Sequence, residues 1–147
     1  MQHLDVEYEA SPSEYVRRQV EEYEASRGRR ANTVRGLPIV VVTMRGARSG
    51  KLRKVPLMRV EHGGVYLAVA SQGGAPTHPQ WYHNLAAHPE VRVQDGAQLV
   101  TARARLVTGG ERAQWWERAV AAFPPYAQYQ ERTEREIPVF VLEPVGE

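Results

Sequence analysis

Residues Val42–Leu57 read V-T-M-R-G-A-R-S-G-K-L-R-K-V-P-L and join two apolar, strand-like runs through a turn that contains Gly46 and Gly50. The ten residues 45–54 contain no acid and five cations, which are Arg45, Arg48, Lys51, Arg53 and Lys54. A glycine turn lets backbone N–H groups approach a ligand, and neighbouring cations favour an anion. The stretch therefore predicts a phosphate or carboxylate site between two strands, although the P-loop pattern is absent. The alternative interpretation is an exposed hairpin loop that is merely basic.

The residues on both sides of this stretch continue as short strands and tight turns. Residues 37–44 are β-branched and continuously apolar, which is typical of a buried strand. Gly63-Gly64 and Asp95-Gly96 are hairpin-turn signals. The predicted strands cover residues 37–44, 54–61, 65–70, 90–94, 98–106 and 137–142. About six strands joined mostly by hairpins favour a mainly β (α+β) fold, in which antiparallel strands close into a small barrel with flanking helices.

Helices are predicted before, between and after these strands. Ser11-Pro12-Ser13-Glu14 favours a helix start with Ser11 as the cap, and Val16, Val20 and Tyr23 then share one face. Two further helices are predicted over residues 79–87 and 109–122, and a short helix or irregular turn over 126–135. We expect residues 1–30 to form an N-terminal arm and helix, and residues 31–147 to form the barrel domain.

Composition narrows the classes of function. A chain of 147 residues is long enough for one domain, and its net charge of +2 argues against a nucleic-acid partner. The absence of cysteine excludes disulfides and thiolate metal sites. His78, His83 and His88 are spaced five residues apart, which does not suit a helical metal pair, so no metal is predicted.

No apolar run approaches the roughly 18 residues that span a bilayer, so we expect a cytoplasmic protein. The basic cluster Arg27-Gly28-Arg29-Arg30 ends the first helix. It is interpreted either as a solvated helix end or as a contact for an anionic ligand tail or a peripheral membrane surface. The oligomeric state is left open by the sequence.

Three more segments combine glycines, aromatics or amides in patterns that suit a flat ligand. Residues 70–74, A-S-Q-G-G, follow a strand, and small residues there let a ring or phosphate approach the backbone. Residues 79–85, P-Q-W-Y-H-N-L, place a Trp, a Tyr and an Asn on one short helix. Aromatics at 123, 126 and 129 repeat every three residues and predict one broad face. Plain turns and core packing are the alternative interpretations. No carboxylate pair or catalytic triad stands out, so a cofactor would have to carry any redox reaction.

In this order and spacing the segments resemble the deazaflavin-dependent nitroreductase family of actinobacteria. The resemblance covers residues 37–144 and rests on R-G-A-R-S-G-K-L-R-K-V-P-L (45–57), A-S-Q-G-G-A (70–75), P-Q-W-Y-H-N-L (79–85), F-P-P-Y-A-Q-Y (123–129) and I-P-V-F-V-L-E-P (137–144). It implies a split β-barrel and binding of the deazaflavin coenzyme F-420, which has a ring, a phosphate and an oligoglutamate tail. It also implies an oxidoreductase that passes a hydride to a flat acceptor such as a quinone or a nitroaromatic compound.

The resemblance also implies the positions of the site residues. Phosphate and tail contacts fall on Ala47, Arg48, Ser49, Arg53 and Lys54. Ring-side contacts fall on Val55, Pro56, Leu57, Met58, Val69, Ala70, Ser71, Gln72, Gln80, Trp81, Tyr82, His83, Asn84 and Tyr126. The acceptor is expected against Met58, Phe123, Tyr126 and Tyr129, with Ser71 or Tyr126 as the catalytic hydrogen-bond donor to its developing negative charge.

The chain departs from the family pattern at several of these positions. A nitroimidazole-activating member has Lys where this chain has Gln72, and Tyr where it has Met58 and Phe123. Loss of the Lys weakens the expected phosphate contact, and loss of the two tyrosine hydroxyls argues against activation of bicyclic nitroimidazoles. Quinones are the expected acceptors. Two other interpretations remain at this stage. One is a split-barrel oxidoreductase that uses FMN, because FMN also presents a tricyclic ring and a phosphate. The other is a non-catalytic module that carries or senses the cofactor.

Overall fold

The computed structural model describes residues 7–146, which form four helices and eight strands. The helices are α1 (Glu14–Ala25), α2 (Gln80–Ala87), α3 (Gly109–Ala122) and α4 (Pro125–Glu131). The strands are β1 (Thr33–Val34), β2 (Leu37–Arg45), β3 (Leu52–Met58), β4 (Glu61–His62), β5 (Val65–Val69), β6 (Glu90–Asp95), β7 (Gln98–Leu106) and β8 (Val139–Pro144).

The strands form one antiparallel sheet that curls into an open barrel. Its order is β1-β2-β6-β7-β8-β5-β4, and β3 pairs with β2 beside that path. Six strands are long and two have only two residues, so the prediction of about six antiparallel strands is confirmed. The barrel is split because β3 and β5 approach each other without pairing as neighbours in the sheet.

The central part of β2, Ile39–Val42, is apolar because both of its faces are covered. Val40, Val42 and Met44 point into the barrel, where they pack with interior residues of β5, β6, β7 and β8. Ile39 and Val41 point outward and pack against α1. Successive side chains of a strand alternate between faces, so a stretch that is buried on both sides is apolar at consecutive positions. Strand β5 repeats this arrangement, with its outer face covered by α3 and α4.

The cap of helix α1 lies two residues later than predicted, at Ser13 rather than Ser11. The hydroxyl of Ser13, rather than Ser11, accepts a hydrogen bond from the N–H of Val16 at 3.3 Å, and Ser11 instead accepts one from the N–H of Ser13 at 3.1 Å. Either serine satisfies the cap pattern, and the second was missed because Glu14 suggested a capping box with Ser11. The predicted apolar face is confirmed, since Val20 and Tyr23 are buried in the cluster under β2.

Several strand boundaries also differ from the sequence prediction, and the predicted strand over residues 54–61 is divided into β3, which ends at Met58, and the two-residue β4. Strand β3 starts at Leu52 rather than at residue 54, because Leu52 and Arg53 still pair with the end of β2. Strand β8 begins at Val139 rather than at residue 137 and continues to Pro144. The shift follows its pairing partners, since Val139 is the first residue of β8 to pair with β5.

An acidic side chain at the end of β6 ties the two sides of the barrel together. The Nε of Arg59 donates to both carboxylate oxygens of Asp95 at 3.0 and 3.1 Å, and the hydroxyl of Tyr66 on β5 donates to Oδ2 at 2.6 Å. The pKa of Tyr66 is raised above its ordinary value, mainly by burial and secondly by the hydrogen bond to Asp95. The phenol therefore remains a donor to Asp95 at any physiological pH.

We expect Asp95→Asn to lower the free energy of unfolding by about 1–3 kcal/mol, because it removes the charge from a partly buried carboxylate with two donors. Urea denaturation measures the change. Glu111→Gln is the matched control, since Glu111 also pairs with an arginine, Arg105, but on the exposed surface. An equal loss in both variants would contradict a special role for Asp95.

Candidate cofactor site

The basic turn between β2 and β3 is a closed loop. The N–H of Gly46 donates to the carbonyl of Lys51 at 2.7 Å, and the N–H of Gly50 donates to the carbonyl of Gly46 at 3.0 Å. Gly50 has a φ of +72°, which favours glycine, and a Cβ on Gly46 would lie 3.0 Å from the Ser49 hydroxyl. Both glycines of the motif thus have a structural reason.

A buried amide on α2 holds this loop in place. The Oδ1 of Asn84 accepts a hydrogen bond from the N–H of Ala47 at 2.9 Å, and Asn84 is 4% exposed. The amide joins residues that are 37 apart in the sequence. Asn84 was predicted as a ring-side contact, and in the structure its side-chain oxygen also accepts from the loop and positions it.

Two adjoining cavities open beside this loop. The first has a volume of about 240 Å³ and is lined by the loop itself, from Gly46 to Ser49, together with Glu9, Arg53, Gln80 and Asn84. The second, of about 260 Å³, shares Arg53, Gln80 and Asn84 with the first. Its other walls include Val55, Pro56 and Trp81. The site therefore has a cationic end and an apolar end, which suits a ligand that combines an anionic group with a ring.

Three of the five cations in the stretch form ion pairs with acids from the N-terminal segment and α1. Lys51 lies 3.7 Å from Glu7, Arg53 lies 3.5 Å from Glu9, and Lys54 lies 2.7 Å from Glu24. Arg48 is exposed, lines the first cavity and has no acidic partner among residues 7–146. These acids were not identified from the sequence as part of the site.

Strand β3 connects the cationic end to a second, aromatic region. Val55 and Leu57 pack against the barrel interior, as do Trp81 and Tyr82 of α2. Met58, at the far end of the strand, packs against the cluster that contains Phe123, Tyr126 and Tyr129. At about 3.3 Å per residue, Arg53 and Met58 are roughly 16 Å apart along the strand. His83 is exposed on α2, with its ring centroid 5.2 Å from that of Tyr82.

The aromatic residues that were predicted to share one broad face form a contiguous cluster. Ring centroids of Phe123 and Tyr126 are 5.0 Å apart, and Tyr129 lies 6.1 Å from Phe123 and 6.2 Å from Tyr126. Tyr126 is 5% exposed, and burial raises the pKa of its phenol. Tyr126 therefore remains protonated and is suited to donate a hydrogen bond rather than to give up its proton.

The loop after β5 lies against this aromatic cluster. Val69, Ala70 and Ser71 are buried, whereas Gln72 is exposed and its Nε2 donates to the Thr77 hydroxyl at 3.4 Å. A Cβ on Gly74 would lie 2.5 Å from the carbonyl oxygen of Tyr129, so only glycine fits there. The loop and α4 are therefore in direct backbone contact.

Arg135 fixes the same loop from the other side. Its guanidinium donates to the carbonyls of Ser71 at 2.8 Å, Ala75 at 2.9 Å and Ala70 at 3.1 Å. Its Nη1 also lies 3.0 Å from Nδ1 of His78. A planar guanidinium with five N–H groups is suited to bind several oxygens at once. Arg135 thus determines the course of the backbone at Ser71, although the sequence analysis gave it no role.

His78 is held as a neutral acceptor in this arrangement. Burial is the main cause that lowers the pKa of its imidazole, and the positive charges of Arg135 and then His83 add to it. The folded-state pKa is thus below the unfolded value. The unfolded chain binds more protons below about pH 6.5, so the stability contributed here is present above that pH and lost as the pH falls.

The arginines that follow α1 lie apart from these contacts. Arg27, Arg29 and Arg30 are exposed, line a shallow cavity of about 360 Å³ and form no ion pair within residues 7–146. Their predicted contact with an anionic ligand tail or a membrane surface stays a prediction. No helix in the described part of the chain is both long and apolar enough to cross a bilayer.

Comparison with known proteins identifies the family to which this arrangement belongs. The model of the F420H(2)-dependent quinone reductase family matches residues 15–144. The chain belongs to that family. This membership confirms the resemblance stated from the sequence, the oxidoreductase class and coenzyme F-420 as the cofactor. Of the two cofactors considered from the sequence, family membership therefore supports the deazaflavin F-420 rather than FMN.

Individual relatives agree with the family. A Mycobacterium tuberculosis protein named F420H(2)-dependent quinone reductase is 36% identical over 124 residues, which are 82% of this chain and 83% of that protein. A solved F420-H2 dependent reductase, FDR-A, is 56% identical with a TM-score of 0.69, and the match covers 72% of this chain and 94% of that one. A domain-swapped dimer is 50% identical with a TM-score of 0.72, over 90% of this chain and all of that one.

We expect Arg135→Ala to lower the free energy of unfolding by about 1.5–3 kcal/mol, the scale of hydrogen bonds to a charged group. It should also raise the pKa of His78, because both the nearby charge and part of the burial are removed. Urea denaturation and an NMR titration of His78 measure the two effects.

Arg132→Ala is the control, since Arg132 reaches the same loop only through a 3.4 Å contact to the carbonyl of Gly73. Arg135→Lys should recover only part of the stability, because a lysine cannot reach three carbonyls together. An unchanged His78 pKa in Arg135→Ala would contradict the contact.

Proposed function

We propose that this protein catalyses hydride transfer from reduced coenzyme F-420 to a flat acceptor. A quinone is the preferred acceptor, and a nitro compound is the second candidate. The observation that carries the proposal is the path along β3, which leads from a cationic loop pinned by Asn84, past an apolar cavity, to the aromatic cluster at Met58. The family membership supports the same activity.

The cationic loop would hold the charged part of the cofactor. The N–H groups of Arg48 and Ser49, which make no hydrogen bond to another described residue, suit a phosphate, as does the Arg48 side chain, which forms no ion pair within residues 7–146. Arg53 lines both cavities. We assign the phosphate and tail contacts to Ala47, Arg48, Ser49, Arg53 and Lys54. Lys54 is the least available of these, because Glu24 lies 2.7 Å from its amine.

The apolar part of the site would hold the ring. We assign this role to residues 55–58 of β3, 69–72 of the next loop and 80–84 of α2. Of these, Val55, Pro56, Gln80, Trp81 and Asn84 line the second cavity directly. Arg135 would act as a positioning residue, since it holds the carbonyls of Ala70 and Ser71.

When bound, the reduced deazaflavin supplies a hydride, and a quinone that takes up this hydride and one proton becomes a hydroquinone. The acceptor would lie against Met58, Phe123, Tyr126 and Tyr129, which form an apolar cluster with two phenol groups. Binding in a fixed orientation would contribute more to the rate than any single polar group.

Ser71 and Tyr126 are the candidates to stabilise negative charge on the acceptor oxygen. The Ser71 hydroxyl makes no hydrogen bond to another described residue, and Tyr126 keeps its proton because burial raises its pKa. Both can donate a hydrogen bond to a developing oxyanion. Since a phenol with a raised pKa is a weak acid, water would supply the proton.

Fluorescence titration with oxidised F-420 tests cofactor binding, with FMN titrated in parallel. We expect F-420 alone to bind at micromolar concentration or below. Arg53→Ala should weaken binding by about 1.5–3 kcal/mol, the scale of a hydrogen bond to a charged group. Arg103→Ala, which removes an exposed arginine from β7, is the control. A dissociation constant for Arg53→Ala within twofold of the unmodified protein would exclude Arg53 from the site.

Steady-state reduction of a soluble quinone tests the catalytic donors. If Tyr126 donates to the acceptor, Tyr126→Phe should lower kcat at least tenfold and leave the dissociation constant of F-420 within twofold, since removal of one donor to an oxyanion typically costs about 100-fold or more. Ser71→Ala tests the other donor in the same way, and Tyr15→Phe, on the exposed face of α1, is the control. If neither variant lowers kcat by threefold, both assignments are wrong.

A further inference from the structure

One wall of the anion site carries a negative charge. The carboxylate of Glu9 lines the same cavity as Arg48 and Arg53 and lies 3.5 Å from Arg53. A carboxylate in this position repels an incoming phosphate or carboxylate and occupies a cation that would otherwise bind it. Glu9 therefore opposes anion binding at this site.

The acid is delivered by a short segment that pairs with the free edge of β3. The N–H of Leu52 donates to the carbonyl of Glu7 at 2.7 Å, and the N–H of Glu9 donates to the carbonyl of Leu52 at 2.8 Å. These two bonds form a parallel bridge between Tyr8 and Leu52. Residues 7–9, which we call the acidic strap, thus lie along the start of β3. Lys51 comes just before the bridge, and Arg53 and Lys54 come just after it.

The negative charges of the acidic strap are complementary to the positive charges at the start of β3. Glu7 lies 3.7 Å from Lys51 and Glu9 lies 3.5 Å from Arg53, and the ring of Tyr8 lies 4.8 Å from the amine of Lys54. The strap presents two carboxylates, which are separated by Tyr8, to Lys51 and Arg53 of the basic stretch. It therefore binds the cations in the way that an external ligand with several carboxylates or phosphates would.

The same contacts are weak enough to be exchanged. The side chains of Lys51 and Glu7 are 42% and 73% exposed, and those of Arg53 and Glu9 are 28% and 47% exposed. Ion pairs at such positions typically contribute less than about 1 kcal/mol each. Two backbone hydrogen bonds at a sheet edge add a further modest amount.

We propose that the acidic strap is a displaceable internal competitor for the cationic end of the site. A ligand with more than one anionic group takes Lys51 and Arg53 and releases residues 7–9 from β3, whereas a single phosphate can bind at Arg48 with the strap in place. This proposal rests on the proposed function for the identity of the natural ligand, coenzyme F-420. Any polyanion, however, would compete with the acidic strap for the same cations.

The first test compares ligand affinity in Glu7→Gln/Glu9→Gln with that in the unmodified protein. The double variant should bind F-420 about 3- to 10-fold more tightly, because two weak competing ion pairs are lost. The control is Glu22→Gln/Glu117→Gln, which makes the same change in net charge at two exposed helical positions that form no ion pair with the described residues. An affinity in Glu7→Gln/Glu9→Gln that is weaker or unchanged within twofold, or an equal gain in the control, would overturn the proposal.

The second test follows the strap itself by amide hydrogen exchange. A bound ligand normally slows exchange near its site, but here saturating F-420 should speed the exchange of the Leu52 amide, because its acceptor is the carbonyl of Glu7. Tripolyphosphate should have the same effect and inorganic phosphate should not. Slower exchange of Leu52 with either polyanion would overturn the proposal.

The two probes separate this proposal from the proposed function. If the protein fails to bind F-420 while tripolyphosphate still releases Leu52, the cofactor assignment is wrong and the strap is supported. If F-420 binds and the Leu52 amide stays protected, the cofactor assignment stands and the strap is refuted.

Discussion

The fold depends on burying both faces of β2. Its outward residues Ile39 and Val41 need α1, and its inward residues Val40, Val42 and Met44 need the rest of the barrel. Because β2 pairs with β1, β3 and β6, its position fixes the register of its neighbours. The basic loop that follows it is therefore presented at a defined edge of the barrel, where α2 can reach it through Asn84.

The site derives its polarity from one strand that crosses two environments. The start of β3 lies among charges and water, and its end lies against the aromatic cluster under α3 and α4. A ligand that follows the strand meets cations first, then aliphatic and indole surface, then phenols. This order combines the residues of β3 with Trp81 of α2 and the two phenols of α4.

Local patterns predicted most of the strands and the contiguous parts of the site, because alternation and glycine turns act over a few residues. The contacts that position the site were missed because they join distant residues. Asn84 is 37 residues from Ala47, and Arg135 is 64 residues from Ser71. The basic stretch contains no acid of its own, so the ion pairs with Glu7, Glu9 and Glu24 became visible only in the folded chain. The family resemblance, by contrast, identified the cofactor before any geometry was known.

The place of β8 in the sheet has a consequence for biosynthesis. This strand is the last of those in residues 7–146, yet it lies between β5 and β7 and contributes Phe140 and Leu142 to the barrel interior. While a ribosome is still translating residues 139–144, the emerging chain carries two unpaired strand edges and an open apolar core. A stop codon just before the codon for Val139 should therefore be nearly as damaging as one between β2 and β3.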